Sequence, residues 1–266
     1  MRRATLFLAL VPLIAGAQDS RARQRAIGGQ LAQEVERHSS LVTDPVLMQY
    51  VDHVAQKLAA AASLQDRLTV KVTTGESASA LAGGYLYIGT ELIREAASEA
   101  ELAGIIAHLL GHIALWDDNL RSQLVGQTES PTIAEAPLIW YAGCQRLSGP
   151  FVPLAFAKRQ GELESRADQL ALDFMDKAGY DPGALVDFFE RTQAGRPRTP
   201  SVFRSVATLP ASIKTAADAR RNAHAGYIVT TSEFIGIEQH LTALTRPMPR
   251  LQQAPSLFSG GVPPPK

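Results

Sequence analysis

Cysteine is nearly missing from this chain: Cys144 is the single one in 266 residues. No intrachain disulfide can form, so the fold must rest on its core or on a metal. Cys144 lies in the apolar run IWYAGCQRL, a setting for a buried inert thiol rather than a reactive one. Net charge is missing as well, because 26 Lys and Arg balance 26 Asp and Glu. A cationic footprint is therefore absent, which argues against nucleic acid as a partner. A clean run of about 20 apolar residues, the length that crosses a bilayer, is also lacking. The best approach to one, residues 136–157, contains Pro137, Gly149, Pro150 and Pro153 together with Gln145 and Arg146. It reads as a broken buried helical segment. No internal repeat is visible.

What remains is ordinary globular composition, 45% hydrophobic and 20% charged, at a length suited to one medium domain with tails. The opening MRRATLFLALVPLIAGAQDS sets Arg2 and Arg3 before an apolar stretch from Ala4 to Ile14, closed by Ala15-Gly16-Ala17. That is the grammar of a secretory signal peptide over residues 1–17, cleaved after Ala17. The expected destination is the periplasm or the extracellular space. No cysteine stands directly after the cleavage point, so a lipid anchor is not expected. Removing Arg2 and Arg3 leaves 24 basic against 26 acidic groups, a mature net charge of −2. The domain itself is expected over residues 18–246, followed by a Pro-rich unfolded tail over 247–266.

Along the domain, residues 21–38 predict an amphipathic helix interrupted at Gly28-Gly29. In DPVLMQYVDHVAQKLAAAA, Asp44 is an N-cap and Pro45 the first helical residue, with Val46, Tyr50, Val54 and Leu58 as the apolar face. LTVKVTT (68–74) alternates as a strand does, and YLYIG (85–89) after Gly83-Gly84 is a second strand. Ser98-Glu99-Ala100-Glu101 spells a capping box at the head of a further helix. Residues 161–178 predict an amphipathic helix stopped by Gly179, and Asp181-Pro182 caps the next one. GYIVTT (226–231) is read as a late strand, and SEFIGIEQHLTAL as a short helix.

The capping box launches IIAHLLGHIAL (105–115), where His108 and His112 stand four apart among aliphatic residues. Helical spacing places both imidazoles on one face. Burying them unpaired would cost roughly 1–3 kcal/mol each. Either a metal meets that demand, or hydrogen bonds to backbone carbonyls do; spacing alone leaves both open. A helix that supplies two ligands at i and i+4 needs a third from elsewhere. Glu164 is the candidate, with Asp168 one turn later on the same face, placed to hold a ligand histidine by its other ring nitrogen. His38, His53, His224 and His240 lie in polar surroundings and read as solvated. Glu101 is explained by the capping box, and Asp117-Asp118 by a solvated helix end.

Three stretches then carry a resemblance: LAGGYLYIG, SEAELAGIIAHLLGH and ESRADQLALDFMDKAGYDP, in that order. Together they resemble the gluzincin zinc metallopeptidases of the CAAX prenyl protease, HtpX and BepA type, over roughly residues 25–245. The family pattern has HExxH and then ExxxD followed by AGYDP. The resemblance implies an α+β fold, a mostly helical zincin-like domain with a small β-sheet. It implies one zinc ion held by His108, His112 and Glu164, with Asp168 supporting a ligand. It also implies a peptide-binding strand at Tyr85, Leu86, Tyr87 and Ile88, which would pair with an extended peptide or unfolded envelope protein.

Two departures stand against that pattern. Leu109 occupies the place of the HExxH glutamate, the family's general base. Leu209, in Thr208-Leu209-Pro210, falls where the family commonly has a histidine. Losing a positioned base and acid typically costs about 10²–10⁴ in rate, or roughly 3–5 kcal/mol of barrier. The expectation is a zinc-binding pseudopeptidase that holds peptides without efficient cleavage. Two alternatives stand beside it: an active endopeptidase with a base from elsewhere, and a metal-free structural protein.

Overall fold

In a computed structural model the described residues are 11–64, 67–76, 78–126, 154–194 and 209–245. Helix α1 (Val11–His38) leads to α2 (Pro45–Ala61) and to three strands, β1 (Thr69–Thr73), β2 (Ala78–Leu81) and β3 (Tyr85–Gly89). Among the described residues six more helices follow: α3 (Thr90–Glu95), α4 (Glu99–Gly126), α5 (Leu154–Ala178), α6 (Gly183–Ala194), α7 (Ala211–Ala223) and α8 (Ser232–Thr245). The architecture is α+β and mostly helical, as expected. None of the described helices is long and apolar enough to cross a membrane.

The sheet has the order β1-β3-β2. β3 runs parallel to β1, with Thr69 opposite Tyr85, and antiparallel to β2, with Ala78 opposite Ile88. It is therefore the central strand, hydrogen-bonded along both sides. This corrects the expectation that Tyr85, Leu86, Tyr87 and Ile88 receive a peptide by strand addition, since a strand paired on both sides has no edge to offer. The outer side of β1 is also engaged at its end: Val42 N–H donates to the Val72 carbonyl (2.9 Å) and Thr74 N–H to Ser40 (2.9 Å). β2, which the sequence reading missed, is the remaining outer strand and packs beside α4.

Local signals explain several helix ends. Asp44 accepts a hydrogen bond from the Leu47 N–H at 2.9 Å, with Pro45 opening α2. Leu47, Tyr50, Val51, Val54 and Leu58 form its buried face, whereas Val46 is 51% exposed and stands outside the predicted stripe. At α4, Ser98 Oγ accepts from Glu101 N–H (3.2 Å), and the Glu101 carboxylate returns to Ala97 N–H (2.8 Å), one residue earlier than a standard box. α4 then runs on past Asp117-Asp118 to Gly126. α5 ends at Gly179, whose φ of +79° is the left-handed stop glycine supplies, and Asp181 caps α6 through Gly183 N–H at 2.9 Å.

Two expectations need correction. Gly28-Gly29 does not interrupt α1. A Cβ at Gly28 would sit 1.8 Å from the Ala82 carbonyl oxygen, so the glycine lets the helix lie against the β2–β3 turn. Residues 226–231 form no strand of the sheet. Ile228 makes a single bridge to Tyr180 and clips the following segment onto the α5–α6 turn. Cys144, most of the 136–157 segment, Thr208, residues 1–10 and the tail from 247 lie outside the described residues.

The main core gathers α2, the sheet, α4, α5 and α6 around Leu58, Leu86, Ile88, Ile105, Ile106 and Met175. Within it α4 packs most extensively along α5. That pairing builds the site.

Candidate metal centre

His108 and His112 come from α4, Glu164 and Asp168 from α5. Each pair is separated by four residues, so each pair shares a helix face, and the two faces meet. His108 Nε2 and His112 Nε2 lie 3.2 Å apart. Glu164 Oε2 lies 3.3 Å from the first and 3.7 Å from the second. The ring planes stand nearly perpendicular, at 84°.

Those separations can be compared with a tetrahedron. Zinc binds imidazole nitrogen and carboxylate oxygen at about 2.0–2.2 Å, so tetrahedral ligand atoms lie about 3.3–3.6 Å from one another. The three observed distances bracket that edge. Two imidazoles and one carboxylate are also a donor set zinc accepts, with a fourth position left over. The residues present fit a single zinc ion.

Asp168 completes the arrangement on the far side of His108. His108 Nδ1–H donates to Asp168 Oδ1 at 2.9 Å. This fixes the tautomer, leaving Nε2 as the lone-pair donor that faces Glu164 and His112. Phe189 of α6 packs edge-on against the His108 ring, with centroids 6.3 Å apart. Sequence reasoning missed this contact, for no local spacing links residue 189 to residue 108. His108, Glu164 and Asp168 are fully buried, and the His112 side chain, 11% exposed, is the member nearest to solvent.

Electrostatics follow from that burial. Burial pulls His108 toward its neutral form, but the Asp168 and Glu164 carboxylates outweigh it and push the ring up to about 9. Burial holds His112 below the usual histidine value. Burial alone would raise Glu164, yet the two histidines keep its carboxyl well below the carboxylate range. The cluster thus draws positive charge inward. A divalent cation meets that demand.

The position expected to carry a base is apolar. Leu109 is 1% exposed and belongs to the main core, and Leu209, just before α7, is buried in the same core. Glu101 is engaged elsewhere, by Ala97 N–H and by an ion pair with Arg191 of α6. Among the other histidines, His38 and His224 are exposed as expected, whereas His240 is half-buried and bonds the Asp44 carboxylate at 3.0 Å. Among the described residues His108, His112 and Glu164 are the group of three that could hold a metal ion.

Residues 45–253 match the family model described as Peptidase family M48. The beta-barrel assembly-enhancing protease of Escherichia coli (strain K12) is 25% identical over 244 residues, covering 82% of this chain and 48% of that protein. The beta-barrel assembly-enhancing protease of Yersinia pestis is 26% identical over 200 residues, covering 66% of this chain and 39% of its own length. The chain thus spans about half the length of the curated relatives it matches, or less.

Proposed function

Because the chain belongs to Peptidase family M48, we propose that it is an exported zinc-binding pseudopeptidase that holds extended peptides or unfolded envelope proteins and cleaves them poorly at most. The observation that carries this reading is the contrast between a complete ligand set and a buried leucine. His108, His112 and Glu164 converge as zinc ligands do, while Leu109 packs into the core where a general base belongs.

Bound zinc supplies Lewis acidity, which acidifies water and polarises a carbonyl. The protein side of the chemistry is what is reduced. His108 and His112 would hold the ion through Nε2, with Asp168 orienting His108 and Glu164 closing the set. Leu109 can neither accept a proton from a nucleophile nor deliver one to a leaving amine. The loss corresponds to about 10²–10⁴ in rate. A substrate peptide joins the sheet at β2, the outer strand beside α4, where backbone pairing would give affinity without demanding one sequence.

Family membership also supports a second reading, an active endopeptidase in envelope protein quality control that takes its base from another residue or chain. Metal analysis tests the common ground of the two. One zinc per chain in the purified protein, lost in His112→Ala, is the expected result. Absence of zinc under saturating conditions would leave a metal-free interaction protein.

A further inference from the structure

Two glycines of α4 let neighbouring helices approach closely. On α4, Gly104, His108 and Gly111 fall on one side of the helix, and each glycine admits a different neighbour. At Gly111 a Cβ would lie 2.6 Å from the Ala167 carbonyl oxygen, 2.9 Å from its Cα and 3.1 Å from its carbonyl carbon. All three are backbone atoms of α5, which cannot rotate away. At Gly104 a Cβ would lie 3.1 Å from Leu185 Cα and Cβ and 3.3 Å from its Cδ1, on α6. That contact is tight, yet half a step looser, and part of it is a side chain.

Ala167 stands between Glu164 and Asp168, the two residues that must reach α4. The distance between the helix backbones at Gly111 therefore decides whether Glu164 Oε2 comes within 3.3 Å of His108 Nε2 while Asp168 still reaches Nδ1 at 2.9 Å. The His108 ring is gripped from both sides by α5, so a small separation of the helices cannot be absorbed by turning it. We infer that Gly111 is a positioning residue for the metal centre, and that its missing Cβ, rather than helix flexibility, holds the α4–α5 spacing at which the three ligand atoms converge. Gly104 sets the α4–α6 spacing and has no such part. The inference rests on the proposal that the cluster binds zinc.

The test compares Gly111→Ala with Gly104→Ala on the full chain. Zinc affinity of the folded protein is read by chelator competition, cobalt(II) absorption reports the ligand geometry, and the melting temperature of the metal-free form is recorded separately. Gly111→Ala is expected to bind zinc about 10–100-fold more weakly, the range seen when a partner of a metal ligand is lost, and to alter the cobalt spectrum. Gly104→Ala is expected to keep affinity and spectrum, whatever it does to the melting temperature. Wild-type affinity and spectrum in Gly111→Ala, or equal losses in both variants, would overturn the inference. Should Gly111→Ala not fold without metal, it is refolded with excess cobalt(II): an altered spectrum supports the inference and a wild-type spectrum overturns it. A wild-type chain that binds no zinc refutes the metal reading itself, a result separable from either variant's behaviour.

Discussion

Asp168 would act on a bound metal at one remove, through the Nδ1–H of His108, and its carboxylate is completely buried. Asp168→Asn keeps the shape and an acceptor oxygen but removes the charge that strengthens the imidazole as a donor. Zinc affinity measured by chelator competition should fall about 10–100-fold while the fold is retained. Unchanged affinity would mean that His108 is oriented by its packing against Phe189 instead. At this scale the sequence was legible wherever function repeats at helical spacing. His108 with His112 and Glu164 with Asp168 are both four apart, so each pair announces a shared face. The contacts that cross between helices without such a period were silent: Phe189 on His108, Gly111 against Ala167, and Arg191 on Glu101.

Elements were legible where their ends carry their own chemistry. Asp44 and the Ser98 box mark α2 and α4 because a side-chain oxygen must satisfy free amides there. β2 was not legible, since ASAL (78–81) is short, made mostly of small residues and shows no clear alternation, all four residues being buried. Asp44→Ala should destabilise the protein by about 0.5–2 kcal/mol at neutral pH, read by urea unfolding. The Leu47 amide and then His240 hold the Asp44 carboxyl below its usual range. Its stabilisation is thus present above the unfolded value of about 3.9 and is lost as pH falls through the lower folded value. The gap between wild type and Asp44→Ala should accordingly close only below about pH 4; a gap that closes near neutral pH would contradict this. Gly28→Ala tests the docking of α1. Alanine favours an isolated helix, yet here its Cβ meets the Ala82 carbonyl, so destabilisation of about 1–3 kcal/mol is expected in place of a gain.

For the whole molecule, a zinc ion bound by α4 and α5 would tie together the two helices that pack most closely. Free zinc at about one hundred times its dissociation constant should add about 2.7 kcal/mol. A domain of this size then melts about 5–10 °C higher with zinc than after chelation. His112→Ala should show no such shift, read by scanning calorimetry with and without chelator. The fold class was legible at this scale because motif order and spacing carry the family resemblance that implies it. The sheet order was not, for nothing in YLYIG distinguishes a central strand from an outer one, and the partner strand β2 carries no period of its own. The central claim, a complete metal site beside a missing base, is tested most directly by one rate comparison: hydrolysis of an unfolded protein by the zinc-loaded wild type against zinc-loaded Leu109→Glu. The account predicts a gain of about 10²–10⁴-fold in the variant, abolished by chelation. A wild type that already cleaves at the variant's rate would contradict it.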